Sequence, residues 1–162
     1  MLSIAASKYL YVLALAVSLS PGDAVADNGR VGEWPNFYAL KLEQVSSYSS
    51  LDTGIWRGRR SLWILLQPDC GSCKTQLRNL KCLPEDVELV AVGIKGTRPQ
   101  LERAIRPTGF RGQALMATPD LMKSMPPATP TLYIVNPAGL AVAKFQGAVA
   151  CATLKSAFLK MQ

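Results

Sequence analysis

The sequence contains no histidine. That absence removes the side chain whose proton exchange falls nearest neutral pH, along with every metal site that needs imidazole. Charge is sparse as well: 18% of the 162 residues are charged, against 49% that are hydrophobic. So much apolar material predicts a packed core and excludes general disorder. The length points to one domain, and the chain carries no internal repeat and no low-complexity tract. Long hydrophobic runs are also lacking. The apolar stretch from Tyr9 to Leu19 is too short for a comfortable membrane span.

That stretch has another use. Lys8 stands before it, Pro21 and Gly22 break it, and Ala24-Val25-Ala26 places small residues at the spacing a signal peptidase reads. Residues 1–26 are therefore expected to be a secretory signal cut after Ala26. The alternative is an uncleaved signal anchor that would keep the protein close to a membrane. The cut would remove Lys8 and Asp23 together and leave the net charge at +7. Residues 27–35 read as a flexible leader, and residues 36–162 as the folded domain.

Only four cysteines are present, at positions 70, 73, 82 and 151. Export would carry them where disulfides persist, and three complete pairings are open. A bond between Cys70 and Cys73 closes so tight a loop that it adds little by loop entropy. Such a close pair points to redox or metal chemistry rather than to a staple.

The pattern around the pair supplies a context. Phe37 to Leu42 alternates enough for a short strand, and Ser46 to Asp52 is polar enough for a loop. Ser61 to Gln67 is a near-continuous apolar run bounded by a turn and by Pro68, which suits a strand buried on both faces. Beyond the cysteines, Cys73, Leu77 and Leu80 recur on one helical face, and Pro84 ends that helix. Val87 to Ile94 reads as a second core strand. Arg98 to Arg106 reads as a helix with Pro99 in its first turn, and Thr118 as the cap of another. Thr131 to Asn136 and Leu140 to Phe145 read as a hairpin around Pro137-Ala138-Gly139. A last helix places Leu154, Ala157, Phe158 and Met161 on one face. A strand–helix–strand unit followed by a hairpin and a closing helix predicts an α/β fold, a mixed β-sheet flanked by helices on both faces.

Two thiols at i and i+3 in the first turn of a helix can join as a disulfide or part as a dithiol. Cys70 lies near the unpaired N–H groups and the positive end of the helix dipole, both of which favour thiolate. It is the expected nucleophile. Cys73, on the core face, is expected to resolve the mixed disulfide by attacking Cys70. Lys74 adds positive charge beside the pair and Asp69 opposes it. Zinc would need two further ligands, and only Cys82 and Cys151 remain as soft donors, at a spacing that matches no zinc module. No metal and no cofactor are called for.

A buried strand that leads into Cys70-Gly71-Ser72-Cys73 at a helix start, with a later Thr-Pro that opens a strand–turn–strand, resembles the thioredoxin superfamily. Within it the chain looks like the TlpA/ResA-type exported oxidoreductases, from about Pro35 to the C-terminus. Trp56 to Leu66 is similar to that family's approach to its active-site strand, and the long interval from Cys73 to Pro130 holds a helical insertion as in that subgroup. Pro130, in Ala128-Thr129-Pro130-Thr131, matches the family's cis-proline. The resemblance implies a cis Thr129–Pro130 bond facing the cysteines, with the Thr129 backbone free to pair with a substrate segment. Read without the resemblance, Pro130 is an ordinary trans proline at the start of an edge strand. Three positions depart from the family. Asp69 stands where Trp is frequent, Ile64 where thioredoxin has a buried carboxylate, and Gln76 where many haem-pathway members have Glu. Proton transfer from Cys73 thus lacks its usual acid–base helper.

Cys82 and Cys151 leave two readings. The even count and an oxidising compartment favour a second disulfide. Topology opposes it: Cys151 belongs near the active-site end, whereas Cys82 lies about 13 Å down the helix from Cys73, and a disulfide needs Cα atoms within about 7 Å. On the other reading Cys151 is a third redox thiol beside Cys70. Lys74, Arg78 and Lys81 form one polar helix face, which with Arg57, Arg59 and Arg60 is either a solvated surface or a dock for an acidic protein or anionic lipid. Nucleic acid is not an expected partner of an exported chain without a base-stacking aromatic cluster.

These readings converge on a periplasmic dithiol–disulfide exchanger in which Thr129 and Pro130 shape the docking surface for protein disulfide substrates. The resemblance implies a reductant recharged by a membrane electron donor. A disulfide-forming oxidant, or a redox-inert interaction or soft-metal-binding module on the same fold, stands as the alternative.

Overall fold

The run Ser61–Leu66 is buried at every position, and a strand can bury both faces only in the interior of a covered sheet. The computed structural model, which describes residues 35–161, builds its sheet around that run. The expected signal peptide, its cut after Ala26 and the leader as far as Trp34 lie outside the described residues. The strands are β1 (Lys41–Gln44), β2 (Ser50–Asp52), β3 (Ser61–Leu66), β4 (Glu88–Gly93), β5 (Gln113–Met116), β6 (Thr131–Val135) and β7 (Ala141–Gln146). They form one mixed sheet in the order β2-β1-β5-β4-β3-β6-β7. β3, β4 and β5 are parallel, and β6 returns antiparallel to β3 with Leu65 opposite Thr131 and Ser61 opposite Val135.

The helices are α1 (Gly71–Asn79), α2 (Arg98–Ile105), α3 (Pro119–Ser124) and α4 (Cys151–Leu159). Alternation along the central strands sorts two cores. Leu62, Ile64 and Leu66 of β3 pack with Leu77 of α1, Leu101 of α2, and Leu154 and Phe158 of α4. Trp63 and Leu65 point the other way, to Phe37, Tyr38, Trp56, Tyr133 and Met125, with Leu121 of α3 alongside. Helices therefore cover both faces, as the pattern predicts. On the second face a polar network is closed within the apolar layer. Tyr38 donates its hydroxyl to Arg59 O at 2.7 Å, leaving Ser61 to donate to the Tyr38 oxygen at 2.8 Å, while Ser61 accepts from Trp63 Nε1 at 2.9 Å.

Three local expectations are corrected. Phe37–Ala39 is a 3-10 turn, with the Asn36 side chain accepting from Tyr38 N, and the strand starts only at Lys41. Consecutive Phe37 and Tyr38 are both buried in one core, which a turn allows and strand alternation does not. Within the segment read as a loop, Ser50–Asp52 pairs with β1 as the sheet's outermost strand. β5, not foreseen, pairs with β4 on one side and β1 on the other.

The chain's first described residues are pinned to the β6–β7 turn. Asn36 Nδ2 donates to Ala138 O at 3.0 Å and Phe37 N to Gly139 O at 2.8 Å. That turn lies at the Ser61 end of the sheet, because Ser61 faces Val135.

Candidate active site

β3 ends where the ladder must stop, since Pro68 has no N–H to donate. Cys70 N turns back to Gln67 O at 3.2 Å, and Cys70 takes the N-cap position of α1, with φ −82° and ψ 104°. Ser, Thr, Asp and Asn usually hold this position because a side-chain acceptor satisfies an orphan N–H. Here a sulfur does so: Cys73 N donates to Cys70 Sγ at 3.1 Å, and the Ser72 hydroxyl lies 3.3 Å from the same sulfur. The two cysteines are joined as a disulfide with Cα atoms 5.2 Å apart. Cys70 is 8% exposed and Cys73 only 1%, so the cysteine whose sulfur collects donors is also the more exposed of the two. The first turn holds no acidic side chain. Lys74 is half-buried there, and Asp69 is exposed, where water and salt weaken its opposing field.

The Thr129–Pro130 bond is cis. With Thr131 opposite Leu65, the β3–β6 register sets Pro130 at the end of the sheet from which Cys70 emerges. Pro130 is buried and Thr129 half-buried.

Cys82 and Cys151 form a second disulfide, with Cα atoms 6.4 Å apart, so Cys151 is not a free thiol beside Cys70. The objection from helix length fails for a physical reason. Val149 N donates to Gln76 Oε1 at 2.6 Å, so the chain after β7 is already level with the second turn of α1. From there it continues extended, with Ala150 at φ −64° and ψ 145°. Two extended residues advance about 7 Å, most of the roughly 9 Å of helix between Gln76 and Cys82.

Residues 147–151 thus act as a strap with three fastenings. Gly147 N donates to Pro130 O at 2.8 Å, Val149 N to Gln76, and Cys151 bonds to Cys82. The sequence marks Gln76 only as a departure from a family pattern. Its side chain is fully buried and the donor to its oxygen lies 73 positions away, a contact with no local signal. Among the described residues Gln76 Nε2 has no hydrogen-bond partner, and a buried donor left so costs roughly 1–3 kcal/mol. Among the described residues no group of three Cys, Asp or Glu side chains is placed to hold a metal ion.

A mixed sheet covered on both faces, with a disulfide between cysteines three positions apart at the start of the helix that follows its central strand, defines the class: the chain has a thioredoxin-like α/β fold. Solved structures with this architecture include a DsbF homologue from Corynebacterium diphtheriae (14% identity, TM-score 0.68, covering 87% of this chain and 96% of that one). Another is a secreted disulfide oxidoreductase of Mycobacterium tuberculosis homologous to E. coli DsbE (11%, 0.64, 77% and 96%). A third is the thioredoxin domain of a Bacteroides vulgatus thiol–disulfide oxidoreductase (15%, 0.63, 78% and 94%). No protein-family description and no curated protein matches the chain by sequence.

Proposed function

We propose that this protein is an exported thiol–disulfide oxidoreductase that reduces protein disulfides in the periplasm through Cys70 and Cys73. The observation that carries the reading is the asymmetry of the pair: the more exposed cysteine has its sulfur met by two donors, and the other is almost fully buried. In the dithiol form, Cys70 thiolate attacks a substrate disulfide, and one substrate sulfur leaves and takes up a proton. Cys73 then loses its proton and attacks Cys70 Sγ. The internal disulfide closes, the second substrate sulfur leaves, and two electrons have passed to the substrate. Thr129 and Pro130 form the docking edge beside Cys70. A membrane electron donor restores the dithiol, and the signal is removed after Ala26. The solved proteins of the same architecture described as disulfide oxidoreductases support the reading.

The test is trapping. Cys73→Ala removes the resolving sulfur, so mixed disulfides between Cys70 and envelope proteins should accumulate on nonreducing gels. If none forms while Cys70 remains reactive, exchange with protein substrates is not what this pair does. A reduction potential near that of thioredoxin, about −270 mV, supports the reductant; one near about −120 mV assigns an oxidant instead.

A further inference from the structure

Gln76 is the one fully buried side chain of α1 with both a fixed acceptor and an unused donor. Its orientation follows from its partner. Val149 N–H can only donate, so the amide atom 2.6 Å from it is the oxygen. The nitrogen is thereby committed to the other side, where among the described residues it has no hydrogen-bond partner in the oxidised protein. Cys73, Gln76 and Leu77 are the buried residues of α1. Residues three apart on a helix are neighbours, and a long side chain leans toward the helix N-terminus, over the turn before its own Cα. For Gln76 that turn begins with Cys73.

The two sulfurs differ in what serves them. Cys70 Sγ has a backbone N–H and a hydroxyl within reach. Among the described residues no hydrogen-bond donor is placed on Cys73 Sγ, which is joined to Cys70. We infer that Gln76 is the donor reserved for the resolving sulfur: when the Cys70–Cys73 bond opens, its Nε2 donates to Cys73 Sγ and holds it as thiolate for the return attack. The strap makes this workable, because Val149 holds the oxygen and stops the amide from turning away. The amide does not ionise, so its help to Cys73 does not switch off with pH as that of a carboxylate would. The inference rests on the exchange reaction proposed above and adds a residue to its second half.

The experiment uses the protein with Cys70→Ser, which leaves Cys73 as its free thiol and keeps the Cys82–Cys151 bond. Alkylation of Cys73 is followed against pH, with and without Gln76→Met, which conserves bulk but supplies no donor. The expected result is a titration moved upward by about one pH unit and alkylation slowed about tenfold at neutral pH. An unchanged titration in the folded variant overturns the inference, even if the variant is less stable, since support of Val149 alone does not move a thiol. Should Gln76→Met fail to fold, the side-chain amide resonances of Gln76 in the Cys70→Ser protein decide. They must shift along the Cys73 titration, and resonances that ignore it overturn the inference. Neither readout needs a protein substrate, so a failure here is separable from a failure to trap partners.

Discussion

Cys82 is bonded to Cys151 across a sequence separation of 69, whereas Cys70 is bonded to Cys73 across 3. The same bond type has opposite thermodynamic weight at the two places. A long closed loop restrains the unfolded chain strongly and a four-residue loop hardly at all. Replacing Cys82 and Cys151 together by Ser should lower the unfolding free energy of the oxidised protein by about 4 kcal/mol, read by chemical denaturation. Equal stability with and without this pair would mean that it does not staple the fold.

Ser72 places its hydroxyl 3.3 Å from Cys70 Sγ, the sulfur proposed to attack. A hydroxyl that donates there contributes about 0.5–1.5 kcal/mol. Ser72→Ala should therefore slow alkylation of reduced Cys70 at neutral pH by a factor of about two to ten, with little effect on the global fold, because the residue is exposed. No change in rate would show that the hydroxyl turns to solvent in the dithiol.

Gly96 adopts φ +79°, and a Cβ there would approach Pro68 Cγ to 2.8 Å. Pro68 precedes Cys70 by two residues, so a side chain at position 96 presses on the loop that carries Cys70. Gly96→Ala should cost about 1–2 kcal/mol from backbone strain alone. It should also change the Cys70 alkylation rate, which a remote destabilising substitution would leave alone. Unaltered stability and rate would show that this loop yields freely.

Burial pushes the Tyr133 phenol above the usual tyrosine range. Burial likewise raises Tyr38, with Ser61's hydrogen bond pulling it down and the Glu88 charge adding to the rise. The sign follows from proton counting. Above pH of about 10 the unfolded phenols release protons that the folded ones retain, so stability is full below that point and falls as pH rises. Tyr133→Phe should make the fall between about pH 10 and 11 shallower. An identical slope in both proteins would remove Tyr133 from the alkaline transition.

The central architecture was legible because it rests on continuous or periodic patterns. Ser61–Leu66 could be nothing but a doubly buried strand, and Thr118, whose side chain accepts from Leu121 N, is the helix cap that its type suggests. β5 was not legible. Gln113-Ala114-Leu115-Met116 carries no β-branched residue, and its strand state comes from pairing with β4 and β1 on either side. Ser50–Asp52 is short, polar and at the sheet's edge, so hairpin pairing alone distinguishes it from a loop. Of the site, the Cys70–Cys73 pair was readable from spacing. The Cys82–Cys151 bond was not, because helix arithmetic left out the extended strap that brings Cys151 down alongside α1. The Gln76 contact to Val149 joins residues 73 apart, and no local rule reaches that far.

The fastening of Asn36 and Phe37 to Ala138 and Gly139 also fixes a direction. Asn36 and Phe37 sit at one pole of the sheet, and Cys70 crowns the other. A tether pulling through Pro35 would hold the body by its base, with the Cys70–Cys73 pair turned away from the anchorage. Clients would then dock from the free side, without having to slip between the protein and whatever holds it.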